Sequence, residues 1–177
     1  MALAHLLGNT PHLSPLLRKA ARRGYSKPDD LLHLAVARGC RHYGAAVGEA
    51  AKVRDCGKDQ LSNTELAVAL ISGSLQGDAR HIRVAAQLLG APDINRSELV
   101  RLARMERCVP ILRYIAEAGA QADTEQPLFW REILNALPET PPIPEGRMPH
   151  PSRFVSNPGW SPPSRPHRRA SWLRAHG

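Results

Sequence analysis

Aromatic residues are scarce: Phe, Trp and Tyr make up 5% of the 177 residues, and phenylalanine stands only at positions 129 and 154. Runs of β-branched and aromatic residues are scarce too, which argues against a β fold. The three cysteines, Cys40, Cys56 and Cys108, are odd in number and scattered, with no CxxC or HxxxH pairing beside them. Neither a disulfide framework nor a zinc site is expected, and buried thiols in a reducing compartment follow. No apolar run approaches the ~18 residues of a membrane-spanning helix. The N-terminal "MALAHLLG" is apolar but short and lacks a basic flank, so it makes a poor signal peptide and a cytoplasmic protein is expected. Gly-rich phosphate loops, GxSxG and HExxH are missing. No enzyme and no cofactor is therefore expected.

Acidic residues are missing from the ends. Residues 1–28 carry Arg18, Lys19, Arg22, Arg23 and Lys27 with no acid, and residues 138–177 carry six arginines against Glu139 and Glu145. The net charge of +8 therefore sits on the termini, and the middle is nearly neutral. Such ends attract polyanions. Ten of the forty residues from Pro138 to Gly177 are proline, which removes backbone donors and blocks helix and sheet interiors. The segment 138–177 reads as a largely disordered, basic, polyproline-like tail.

What the chain has is helix-forming sequence, rich in Ala, Leu, Arg and Glu through its middle. Three stretches begin alike: "DLLHLAVARG" (30–39), "TELAVALISG" (64–73) and "SELVRLARME" (97–106). Asp30, Thr64 and Ser97 are each suited to cap a helix, and Leu32, Leu66 and Leu99 follow each at the same offset, with a period of about 33 residues. A second helical stretch follows each time (42–54, 79–89 and 109–118) and meets Gly57, Gly90 or Gly119, where a glycine can close the helix in the left-handed conformation. Ile82, Ala85, Ala86 and Leu89, and Ile111, Leu112, Ile115 and Ala118, form one buried stripe per helix. The expected organisation is a basic segment with a capping helix (1–28), a helical repeat domain (29–137, with units at about 30–63, 64–96 and 97–126 and a capping helix at 127–137) and the tail (138–177).

These units resemble ankyrin repeats. Leu32, His33, Ala35 and Gly39, and Thr64, Leu66, Ala69 and Gly73, stand where that family has its Thr-Pro-Leu-His-x-Ala opening, and "ILRYIAEAGAQAD" resembles its second helix and Gly-Ala turn. The stretch from Gly-Ala to the next leucine is shorter than the family's β-hairpin finger, and the Thr-Pro pair is never complete. The resemblance implies an all-α stack of helix-turn-helix repeats, an ankyrin-like α-solenoid with short or missing fingers, and a structural role for His33.

The remaining polar clusters suggest little chemistry. Cys40 and His42 in "CRHY" lie two apart and do not face each other on a helix, so they do not form a nucleophile and base. Asp78, Arg80 and His81 fall in an expected solvated loop. Stacked helix pairs expose a long concave face. The leading expectation is a monomeric, non-enzymatic protein-interaction scaffold that contacts another protein near the unit turns through Arg38, Arg41, Ser72, Arg104 and Arg107. The alternative is a nucleic-acid-binding accessory protein, its phosphate contacts made by Arg18, Lys19, Arg22, Arg23, Arg165, Arg168, Arg169 and Arg174.

Overall fold

A computed structural model describes residues 14–40, 61–73, 78–156 and 171–175. Seven α-helices lie among them: α1 (Pro15–Arg22), α2 (Pro28–Ala37), α3 (Asn63–Ile71), α4 (Ala79–Leu89), α5 (Arg96–Met105), α6 (Val109–Ala122) and α7 (Pro127–Ala136). A 3-10 turn (Pro151–Phe154) leads into strand β1 (Val155–Ser156), which pairs antiparallel with β2 (Ser171–Trp172). The expected all-α class therefore holds. The second helix expected at 42–54 and its Gly57 stop lie outside the described residues.

Local chemistry sets the helix starts. Helices α1, α2 and α7 open on proline and α6 has Pro110 as its second residue, where the missing N–H has no intrahelical partner. In α3 the Ser62 hydroxyl accepts from the Glu65 N–H at 3.0 Å, and the Glu65 carboxylate accepts from the Ser62 N–H at 3.1 Å, forming a reciprocal capping box. Asn95 caps α5 through the Glu98 N–H at 3.0 Å. The caps expected at Asp30, Thr64 and Ser97 therefore stand two or three residues too late. Asp30 still serves its helix end, its carboxylate accepting from the Lys27 N–H at 2.8 Å.

Every residue of α3 from Thr64 to Ile71 is buried, and the helix touches α1, α2, α4 and α5. An apolar surface all round is what a central helix needs. Helices α3 and α5 run in the same direction and are tied at both ends. Near their starts, the Asn95 N–H donates to Thr64 Oγ1 at 3.0 Å. Past their ends, the Ser72 hydroxyl donates to Glu106 Oε2 at 2.9 Å and the Gly73 N–H to the Glu106 carbonyl at 3.0 Å. Helix α7 continues this row: Arg96 pairs with Glu132, and Arg104 Nη2 donates to the Ala136 carbonyl at 3.0 Å.

Helix α2 departs from the expected stacking. Arg38, at its end, donates to Asn63 Oδ1 at 2.8 Å and to the Leu61 carbonyl, both at the start of α3. Its beginning lies instead by α4, where His81 Nε2 is 3.4 Å from the Pro28 carbonyl. Helix α2 thus runs against α3 and along α4, and does not lead a first unit.

Two glycines also play roles other than those expected. Gly119 does not end a helix, because α6 continues to Ala122; a Cβ there would collide with the Trp130 ring. Gly90 follows α4 with φ −80°, not in the left-handed region, and a Cβ there would meet Trp172 Cδ1 and Arg174 Cγ at 2.8 Å. Both glycines are seats for tryptophan packing.

The expectation of disorder fails for the described parts of 138–177. Phe154 and Trp172 are buried at 1% and 3% exposure. Tyr114, Phe154, Trp172, Trp130 and Phe129 follow one another in edge-on or tilted contact, with successive centroids 6.3, 5.8, 4.8 and 4.9 Å apart. The end of α4 supplies carbonyl acceptors: Trp172 Nε1 donates to the Ala86 carbonyl at 3.1 Å, and the Ala175 N–H to that of Gln87 at 3.4 Å. Proline density forbids regular helix and sheet interiors, but it leaves an extended chain able to lay aromatic anchors and a few donors on a helix end.

Candidate interaction surface

The buried polar groups act as internal ties. Glu106 is 2% exposed, and its carboxylate accepts from the Leu16 N–H at 3.0 Å and from the Ser72 hydroxyl, joining the start of α1 to the ends of α3 and α5. Burial pushes its carboxyl above the ordinary range, and its hydrogen bonds and nearby Arg18 only partly oppose the shift. Asp123, also 2% exposed, accepts from Trp130 Nε1 at 2.7 Å and from Arg174 Nη2 at 2.6 Å, fastening the chain end to the turn between α6 and α7. Burial raises the Asp123 carboxyl, but Arg174 and the Trp130 indole outweigh it and hold the group below its usual range.

The thiols described are inert. Cys40 and Cys108 are buried, and loss of water pushes both up to about 12, far from the thiolate that nucleophilic chemistry or metal binding requires. Cys56 and His42 lie outside the described residues. Asp78, Arg80 and His81 form a helix start: Asp78 caps α4 through the Arg80 N–H at 2.8 Å, Arg80 pairs with Asp78, and His81 is buried. Among the described residues no group of His, Cys, Asp and Glu could hold a metal ion, and no helix is long and apolar enough to cross a membrane.

The expected protein-contact residues do not form one patch. Ser72 is fully buried at 0% exposure on its bond to Glu106, so it is no surface contact. Arg38 sits by the start of α3, away from the ends of α3 and α5, and Arg41 is outside the described residues. Arg104 and Arg107 are both exposed, on α5 and on the turn that follows it. Of the expected polyanion contacts, Arg165, Arg168 and Arg169 lie outside the described residues. Arg174 is held by Asp123 and, at 3.1 Å, by Glu125. Its charge is neutralised in the fold by buried Asp123 and exposed Glu125.

The N-terminal cations belong to a folded helix. Leu16, Leu17 and Ala20 bury one side of α1, leaving Arg18 and Arg22 exposed on the other, one turn apart. Lys19 pairs with Glu65, whose carboxyl burial raises but Lys19 more than compensates, leaving it low; Arg23 adds to that field. Arg18 and Arg107 approach the same buried Glu106, Arg18 through its field and Arg107 as the next residue. From Arg107 the positive surface continues along α5 through Arg104 and Arg101, with Met105 between them at 45% exposure. Sequence reasoning missed Arg101 and Met105. Their signal was available: positions 101, 104 and 105 share a helix face opposite Leu99, Leu102 and Ala103, all of which are buried.

Comparison of the chain with family models, with curated proteins and with solved structures gives no match in any of the three.

Proposed function

We propose that the chain is a non-enzymatic protein-interaction module, built on a short ankyrin-like array of helix pairs and working as a cytoplasmic monomer. One observation carries the reading: α3, α5 and α7 run the same way, α3 and α5 tied start to start and end to end, and α5 joined to the middle and the end of α7. Helices so stacked bury each other's flanks and leave a continuous outer face for a partner. The first unit differs from the expected one, since α2 stands along α4, and the row begins at α3 instead. The buried polar groups are used as ties and the described thiols are held protonated, which is consistent with a scaffold.

Affinity capture tests this reading, using the full chain as bait in an extract of its own cells at low and moderate salt, with and without nuclease. The expected result is a discrete protein retained through nuclease treatment. Release of all retained material by nuclease, or retention of nothing above bait-free resin, overturns the proposal and, in the former case, returns the basic ends to a nucleic-acid role.

A further inference from the structure

We propose that the arginine face formed by α1 and the end of α5 is the docking site for an acidic segment of the partner protein, with Met105 as its apolar contact. The inference rests on the interaction-module reading and names the partner's chemistry. The face comprises Arg18 and Arg22 on α1, Arg101 and Arg104 on α5, and Arg107 on the following turn, all five exposed. Nearby carboxylates are mostly engaged: Glu65 holds Lys19, Glu98 lies 3.7 Å from Arg101, and buried Glu106 is bonded to the Leu16 N–H and the Ser72 hydroxyl. The sum over these groups is positive, Arg18 and Arg22 of the basic N-terminal segment joining Arg101, Arg104 and Arg107 of a middle region that is itself close to neutral.

The site is also pre-shaped. Arg107 has φ +55°, a left-handed conformation rare for residues with a side chain. It is held there by the Gly73 N–H on the Glu106 carbonyl and the Cys108 N–H on the Ala103 carbonyl, at 3.0 and 3.1 Å. The close fit continues at Gly73, where a Cβ would lie 2.9 Å from the Arg107 carbonyl oxygen. Arg104 is braced on the Ala136 carbonyl and Arg101 on the Met105 sulfur. A guanidinium braced through one N–H retains others, in a fork that suits carboxylates. Ordering these side chains in advance lowers the entropy lost on binding.

The surface favours protein over nucleic acid. Sequence-tolerant nucleic-acid grooves interleave cations with aromatic rings on which bases stack. Among the described residues Tyr25 is buried, and Tyr114, Phe129, Trp130, Phe154 and Trp172 are gathered in the cluster around α6 and α7. An exposed, adaptable Met among the arginines suits an acidic stretch that carries an apolar side chain. The face is short, about 6 Å along α1 from Arg18 to Arg22 and about 6 Å along α5 from Arg101 to Met105. Each run is about one helical turn, so a short acidic segment covers it.

The test uses the full chain and a fluorescent, Glu-rich helical peptide with Leu at every fourth position, read by anisotropy at physiological salt. A Lys-rich peptide of the same pattern and a single-stranded oligonucleotide of equal charge serve as comparisons. The Glu-rich peptide is expected to bind, and Arg18→Glu/Arg22→Glu/Arg104→Glu/Arg107→Glu to weaken it by roughly tenfold or more. Arg18→Gln/Arg22→Gln, which removes charge from the solvent side of α1 alone, is expected to weaken it about threefold with an unchanged melting temperature. Reversal of the exposed Arg131, Arg147 and Arg153 should leave affinity within about twofold, as distant exposed charges are largely screened. Failure of the wild-type chain to bind the peptide, equal loss in the Arg131/Arg147/Arg153 variant, or tighter binding of the oligonucleotide overturns the proposal. A protein captured from extract that ignores these arginines leaves the interaction-module reading standing and removes this one. Peptide binding with no protein captured does the reverse.

Discussion

The two ends of the molecule are held by different chemistry. The block around α3 is aliphatic: small and branched side chains fill it, and a buried glutamate ties its upper edge. The corner around α6 and α7 is aromatic, and residues 151–156 and 171–175 complete it. Each end has a carboxylate only 2% exposed, Glu106 and Asp123, and their states are opposite. Glu106 meets only neutral donors directly, so burial dominates and its carboxyl is raised. Asp123 meets a guanidinium, so pairing dominates and its carboxyl is lowered. A buried acid is governed by whether the fold also delivers a cation, and here the delivery comes from a residue fifty-one positions away.

The largest expected effect tests the aromatic corner. Trp130 is fully buried between Phe129 and Trp172, against Gly119. Trp130→Ala should cost about 4 kcal/mol in denaturant unfolding, within the usual range for a buried aromatic. If the loss stays under about 1 kcal/mol, the corner is not part of the cooperative core. Next is Asp123→Asn, which takes the buried carboxylate from half-buried Arg174 and leaves it only the exposed Glu125, and should cost about 2.5 kcal/mol at neutral pH. Because the folded carboxyl is lowered, its contribution is complete above the unfolded value near 4 and is lost as pH falls through the folded one. The gap between wild type and Asp123→Asn should therefore narrow in strong acid.

Glu106 should behave the other way. Its folded carboxyl is raised, so its contribution is present below the unfolded value near 4.5 and is lost as pH rises through the folded one. Glu106→Gln keeps an acceptor without the buried charge; relative to wild type it should gain stability from mild acid to neutral pH. Glu106→Ala leaves the Leu16 N–H and the Ser72 hydroxyl without their acceptor and should cost about 2 kcal/mol. Thermal melts of the three proteins across pH decide this, and parallel curves for wild type and Glu106→Gln would show that Glu106 is not the group responsible. The smallest effect is local: Ser62→Ala opens the capping box of α3 and should cost about 1 kcal/mol.

Legibility in the sequence follows the same division. The helices from Asn63 onward were readable because each starts on a side-chain cap or a proline in its first turn and carries apolar residues at helical spacing, all set by residues within a few positions. The α5 face was half read: Arg104 and Arg107 were found, while Arg101 and Met105 were passed over because no single motif contains them. Ser72 was misplaced because its neighbours look like a turn, and only packing against α5 shows that its hydroxyl is buried.

By itself, the sequence determined that the chain is helical, where most helices lie and that its excess charge is positive at both ends. These are local properties: propensity, periodicity and composition act over a few residues. Only the tertiary structure decided that α2 runs with α4 and against α3, that Gly90 and Gly119 are seats for tryptophans, and that the proline-rich segment closes the aromatic corner. Each depends on contacts between residues far apart along the chain. No local signal distinguishes a glycine that ends a helix from one that makes room for an indole ring, or a free arginine from one that a buried aspartate holds.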